Sequence, residues 1–454
     1  MKLTESLAKF IVGTNYSDMP APVIAAAKER LLDTIGAMLA GRAGWAYGDA
    51  LIEACRELGS GNYPAIGPDA RAQFPAARAA ALNATFAHAI ELDDGHKFAG
   101  VHAGAVIIPT ALIMAQECGA NGEETLAAIV LGYETVYRLA VSQSPELIEH
   151  GFHPSATCDT IGAMAVAGKL MKLDEEHLAN GLGMAGLQAS GLMEATVSGQ
   201  QSKCVMVGNA AFNGISCAYI SRAGLEGCRS VFEGKTGLFQ AMSKSLSANK
   251  VMEGIGDPFL ITDTYNKFYP TCRHSQPAIE AALDLALAHG LCAEDVERVD
   301  VGTHHVAYDL TGQIKYPKNP GEAKFSLPYG VAAALYDHGV AVRHLTREYY
   351  TQEKYLTLSN KVFVRIDKDV DALYPRRRGA VVRITMKDGQ FYEKSCYDLK
   401  GSPQNPVGFD ELVRKFNTAA SGLLSQEVAD EVRTRCASFE KESGTAELLS
   451  LLNW

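Results

Sequence analysis

The sequence predicts a mainly α protein, a large all-helical domain plus a smaller inserted α+β domain. The expected boundaries are 1–265 for the helical domain, 266–403 for the insertion, and 404–454 for helices that complete the first domain. Three observations predict this. Apolar residues recur at helical spacing in segment after segment before residue 265. The texture then changes to strand-like alternation, with one strong hairpin signal. Helical patterning returns after Pro403. A chain of 454 residues is also too long for one ordinary core.

Segment 20–41 opens with prolines, closes at Gly41 and keeps apolar residues at helical spacing between. Segment 75–90 is Ala-rich and starts at Pro75; segment 105–117 is almost wholly apolar and should be buried on all sides. Segments 122–142, 159–171, 175–190 and 208–224 continue the helical pattern. Segments 294–306 and 361–367 alternate like strands, and 380–394 reads as two strands joined at Asp388-Gly389. Ser326 to Gly339 looks helical, as do FDELVRKFNTAA and SQEVADEVRTRC after Pro403.

The net charge of −10 argues against a general nucleic-acid binder. No charge-free run of about 18 apolar residues suggests a membrane span, and the first residues lack the pattern of a signal peptide. Ten cysteines without a CxxC pair suggest free thiols and a cytoplasmic protein.

Five segments could carry chemistry. The densest is HAIELDDGHKFAGVHAG, residues 88–104, with His88, Glu91, Asp93, Asp94, His96 and His102. Capping and solvated charge is the plain reading. Metal binding is the rival, yet neither HExxH nor an EF-hand spacing is present. In Gly151-Phe152-His153-Pro154-Ser155, the histidine sits before a helix expected near Thr160, where free N–H groups attract anions. Lys203, in GQQSKCVMVGN, reads by itself as a solvated lysine before a helix. Lys267, Arg273 and His274 bracket a Pro-containing break and could clamp a polycarboxylate. Tyr329, in AKFSLPYG, is either packing or an acid. All five lie at Gly/Pro-marked breaks between helices, where site residues gather.

Taken together, HAIELDDGHKFAGVHAG, YETVYRL, GFHPSATCDTIGAM, QSKCVMVGNAAFNG, KFYPTCRHSQPAI and EAKFSLPYGVAAAL resemble the MmgE/PrpD superfamily in content and order. That superfamily includes 2-methylcitrate dehydratase, cis-aconitate decarboxylase and iminodisuccinate epimerase. The resemblance implies a helical domain with an α+β lid, a pocket between them, no metal or organic cofactor, and a homodimer. It implies site roles for Asp93 or Asp94, His102, His153, Lys203, Lys267 and Tyr329. Two departures stand out. His102-Ala103-Gly104 replaces His-Pro-Gly or His-Pro-Ser, and Gln276 stands where many members have histidine, with His274 two positions earlier.

The expected reaction is cofactor-independent proton transfer α to a carboxylate of a small polycarboxylate. Ionising such a carbon puts a second negative charge on the carboxylate, so cations must face it. Lys203, Lys267 and Arg273 suit that task, with Asp94 and His274 as further binding residues. His102 or His153 would be the base, and Tyr329 or the other histidine the acid. The acidic segment, Asp93 included, would keep a histidine protonated. A hydro-lyase like 2-methylcitrate dehydratase leads, with an epimerase or a decarboxylase as alternatives. A non-catalytic binding protein on the same fold is the reading outside this class.

Overall fold

The computed structural model describes residues 2–244 and 248–454. Proline decides where several helices begin, because the first helical positions need no N–H and suit its fixed φ. The principal helices are α1 (Leu3–Gly13), α2 (Ala21–Gly44), α3 (Ala76–His88), α4 (Gly104–Cys118), α5 (Gly122–Gln143), α6 (Pro154–Leu170), α7 (Glu175–Gln188) and α8 (Lys203–Arg222). Then follow α9 (Gln276–His289), α10 (Pro320–Lys324), α11 (Leu327–Asp337), α12 (Phe409–Ala420) and α13 (Gln426–Ala437).

Two starts differ from expectation. α6 begins at Pro154, so His153 is its N-cap residue rather than part of a preceding loop. α8 takes in Lys203 as its first residue, with Ser202 at the N-cap position. Each shift brings a polar side chain to a helix start.

α4, almost wholly apolar, is covered by α3, α5, α6 and α8. α8 has the length and apolar character of a membrane span, but here it packs against α3, α6 and α7. The C-terminal helices α12 and α13 return to pack on α2.

The strands cluster after residue 295. β3 (Val296–Thr303), β4 (Val362–Ile366), β5 (Ala380–Met386) and β6 (Phe391–Cys396) form one sheet in the order β4-β3-β5-β6. β3 runs parallel to β4 and antiparallel to β5, and β5 and β6 form the hairpin turned at Asp388-Gly389. Gly389 has φ +89° there, a conformation that glycine adopts without cost. Val299, Val301, Val382 and Ile384 are buried, and α9 packs on β5 and β6. A separate two-residue ladder, β1 (Gly95–His96) with β2 (Thr264–Tyr265), joins the helical part to the chain entering the sheet region.

α8 and α3 touch backbone to backbone at Gly208. A Cβ there would lie 2.1 Å from Thr85 Oγ1 and 2.5 Å from the Ala81 carbonyl oxygen. Gly208→Ala should therefore destabilise the fold by about 1–3 kcal/mol, the usual cost of overpacking. Urea unfolding would read this as a lower midpoint, and an unchanged midpoint would mean that the two helices part freely.

Candidate active site

The β1–β2 ladder pairs Gly95 with Tyr265 and His96 with Thr264. Continuing that antiparallel register by two residues on each strand sets Asp93 opposite Lys267. Lys267 Nζ lies 3.8 Å from Asp93 Oδ1 and donates a 3.0 Å hydrogen bond to Glu91 Oε2. Lys203, at the start of α8, donates to the other Glu91 oxygen. One buried carboxylate thus bridges two ammonium groups from distant parts of the chain.

Glu91 holds φ +57°, a left-handed conformation rare outside glycine that costs about 1–3 kcal/mol. Burial pushes its pKa up, but Lys203 and Lys267 together pull it well below the ordinary value. Lys267 is fully buried, which opposes its charge; Glu91 and Asp93 outweigh this and hold its pKa above the usual range.

Three imidazoles adjoin these charges. His88 Nδ1 lies 2.6 Å from Asp93 Oδ2. The ionised carboxylate accepts, so Nδ1 carries the proton and Nε2 keeps its lone pair. His102 Nδ1 lies 2.6 Å from the Asp94 carbonyl oxygen, which again can only accept. His102 is therefore the Nδ1–H tautomer, with its Nε2 lone pair free to act as a base. Its backbone N–H donates to Ser155 Oγ at 2.9 Å, which fixes the loop against α6. The His88 ring centroid lies 5.2 Å from that of His102 and 6.2 Å from that of His153. His153 is buried, and among the described residues its Nδ1 has no hydrogen-bond partner.

The acidic segment does not keep these histidines charged, contrary to expectation. Burial first, then Lys267, lowers the His102 pKa to about 3. Burial and Lys203 likewise lower those of His88 and His153. Near neutral pH all three are neutral. His102 and Lys203 are the members that reach solvent, with 14% and 11% of their side chains exposed.

Other expected site residues lie elsewhere. Asp94, expected to bind substrate, is fully buried with both carboxylate oxygens in use. Tyr133 donates to Oδ2 at 2.6 Å and the Gly104 N–H to Oδ1 at 3.0 Å. Burial raises its pKa to about 6. Asp94 thus braces the loop onto the start of α4.

Arg273 spends its donors on the protein: the Asn266 carbonyl at 3.0 Å, Gln276 Oε1 at 3.0 Å and Ser402 Oγ at 2.8 Å. His274 Nδ1 lies 3.4 Å from His304 Nε2, and Tyr374 stacks on His304. Tyr329 donates its hydroxyl to the His344 carbonyl at 2.8 Å and packs edge-on to Tyr355. The expected clamp of Lys267, Arg273 and His274 is therefore divided, because only Lys267 turns to Glu91. The structure brings together His102, His153, Lys203, Lys267 and Asp93.

To these it adds His88, Glu91 and Lys324. His88 and Glu91 stood in the densest polar segment without a role. Lys324 stood in the AKFSLPYG segment without a role, and the Ala89 carbonyl that its Nζ meets is 235 residues away. Among the described residues, no group of three or more His, Cys, Asp or Glu side chains is arranged to hold a metal ion.

The MmgE/PrpD N-terminal domain matches residues 5–250 and the MmgE/PrpD C-terminal domain matches residues 269–439. The chain belongs to the MmgE/PrpD family. It is an enzyme of the MmgE/PrpD type. It is 26% identical to a cis-aconitate decarboxylase-like protein of Aspergillus oryzae, over 99% of this chain and 97% of that one. It is also 26% identical to the cis-aconitate decarboxylase of Homo sapiens, over 99% of this chain and 94% of that one. A 2-methylcitrate dehydratase of Salmonella typhimurium is 22% identical, over 56% of this chain and 55% of that one.

In this MmgE/PrpD chain, the neutral His102 links stability to pH with a definite sign. Its folded pKa of about 3 lies below the ordinary histidine value of 6.5. The unfolded state therefore takes up a proton that the folded state refuses, and stability falls as the pH drops from about 6.5 towards 3. Between pH 7.5 and 5.5 this amounts to about 1 kcal/mol. Urea unfolding at the two pH values should show His102→Gln losing less stability than the wild type by that amount. An equal loss in both proteins would mean that His102 is not held neutral.

Proposed function

We propose that this enzyme is a lyase acting on a small polycarboxylate, with His102 or His153 moving a proton at the carbon next to a carboxylate. One observation carries the reading. Neutral imidazoles, among them His102 with a free Nε2 lone pair, stand beside two ammonium groups that share a single carboxylate. The reaction needs that pairing. Charge that builds on the substrate carboxylate is met by Lys203 and Lys267, while an imidazole accepts or returns the proton near neutral pH.

Decarboxylation is the favoured outcome, because relatives that match along almost their whole length include the cis-aconitate decarboxylase of Homo sapiens and a cis-aconitate decarboxylase-like protein. The C–CO₂ bond breaks, its electron pair stays on the substrate's conjugated carbons, and CO₂ leaves. A proton relayed from solvent by an imidazole then completes the product. Dehydration is the second reading, supported by the partial match to 2-methylcitrate dehydratase. There an imidazole removes the α-proton, and the β-hydroxyl leaves as water after protonation.

Proton NMR in deuterated water tests both. Purified enzyme is incubated with cis-aconitate, 2-methylcitrate, citrate and iminodisuccinate. The expected result is deuterium-labelled decarboxylated product from cis-aconitate. His102→Ala and His153→Ala should each lower kcat by about 10²-fold or more, the usual contribution of a positioned acid or base. An alkene formed from 2-methylcitrate would favour dehydration. Stereochemical exchange in iminodisuccinate alone would make the enzyme an epimerase. Silence across the panel would overturn the proposed substrate class and reaction.

A further inference from the structure

A small cavity of about 30 Å³ lies where the helical part meets the sheet region. Lys97, Tyr265, Arg273, Arg378, Tyr397 and Ser402 line it, and among the described residues no acidic side chain does. Lys97 follows β1, Tyr265 ends β2, Arg273 precedes α9 and Arg378 precedes β5. The cavity therefore bridges the two parts of the molecule. None of His102, His153, Lys203, Lys267, Glu91 and Asp93 lines it.

Three cations face this space, and each hydrogen bond they make goes to a neutral acceptor. Lys97 Nζ donates to the Arg376 carbonyl at 2.6 Å, and Arg378 Nη2 donates to the Lys97 carbonyl. The buried Arg273 donates to the Asn266 carbonyl, Gln276 and Ser402, and its guanidinium lies 4.4 Å from the Tyr265 ring centroid. Among the described residues, no carboxylate lies within ion-pair distance of any of the three. Of the neighbouring carboxylates, Asp398 pairs with Arg377 at 2.8 Å, Glu280 accepts the Lys400 backbone N–H at 3.1 Å, and Asp263 is exposed. Arg378 Nη1 and the other Lys97 Nζ hydrogens have no acceptor among the described residues. Burial lowers the Arg273 pKa to about 10, and Arg378 adds to the lowering; burial and then Arg378 lower that of Lys97. Buried charges are ordinarily paired, and here like charges crowd one cavity instead.

We propose that Lys97, Arg273 and Arg378 hold one free oxyanion of the phosphate type, which clamps the helical part to the sheet region beside the catalytic centre. The dimensions select the ligand. A buried water needs about 10–15 Å³ on this measure, so the cavity takes an ion of a few atoms. It is far below the roughly 300 Å³ at which pockets for small organic molecules begin. Arginine suits such an ion, because its fork meets two oxygens at once. The ion relieves the repulsion between Lys97 and the two arginines, and the β1–β2 ladder carries that restraint to Asp93 and Lys267.

Calorimetric titration of the full chain with inorganic phosphate tests this. The wild type should bind phosphate, and Arg378→Gln and Lys97→Gln should each weaken binding about tenfold or more, the worth of a lost hydrogen bond to a charged group. Lys97→Gln serves if circular dichroism shows Arg378→Gln unfolded. Phosphate should also raise the urea midpoint of the wild type and leave that of Arg378→Gln unchanged. Potassium chloride at equal ionic strength should not reproduce the rise; an equal rise would mean charge screening alone and overturn the proposal. Glycerol phosphate should bind more weakly, because the cavity has no room for its tail. Equal binding would make the ligand a phosphate ester and overturn the free-ion assignment. No binding by the wild type, or undiminished binding in both variants, would overturn the site. The test involves no turnover, so its failure and that of the proposed reaction are separate results.

Discussion

A buried carboxylate held between two ammonium groups organises this molecule. Glu91 sits in the loop between α3 and α4, Lys203 begins α8, and Lys267 follows β2. No two of these lie close in sequence, so the bridge forms only when the helical part and the chain entering the sheet region are both in place. Breaking such a bridge by removing one partner leaves an uncompensated buried charge, which commonly costs about 3–5 kcal/mol. The same bridge offsets the left-handed backbone at Glu91.

Burial then sorts the remaining titratable groups into two kinds. Carboxylates beside lysines stay ionised, as Glu91 and Asp93 do. Imidazoles in the same dry surroundings stay neutral, because the desolvation of a cation is reinforced by the lysines. Asp94 belongs to neither kind. It is tied to Tyr133 and to the first backbone N–H of α4, and it fixes the loop that presents His102. The polarity of the site is thus layered, with a bracing network around Asp94 and neutral imidazoles beside paired charges.

Local sequence signals announced the local structure. The Asp388-Gly389 turn, the proline-led helices and the change of texture near residue 265 are short-range features, and they correspond to β5–β6, to α2 and α3, and to the strands after residue 295. The candidate site was legible only where a residue sits in an unusual local setting, as His102 and His153 do. Lys203 looked like an ordinary solvated lysine, because nothing near it in sequence discloses Glu91. Lys324, in the same segment as Tyr329, drew no role for the same reason. Arg273 and His274 misled in the opposite sense: their closeness to Lys267 in sequence suggested a shared clamp, yet the turn at Pro270 separates their contacts. Sequence spacing reports which residues share an element. It does not report which elements converge.

Lys267 lies between the two matched family domains, in the stretch 251–268 that joins them. That connector is therefore no passive tether. Its two-residue ladder with β1 fixes which of its side chains faces Asp93, and in an extended chain a slip of one residue turns every side chain to the opposite face. The seam between the halves is a gauge as well as a link: lengthening it by a single residue would leave both halves intact and the centre they share misaligned.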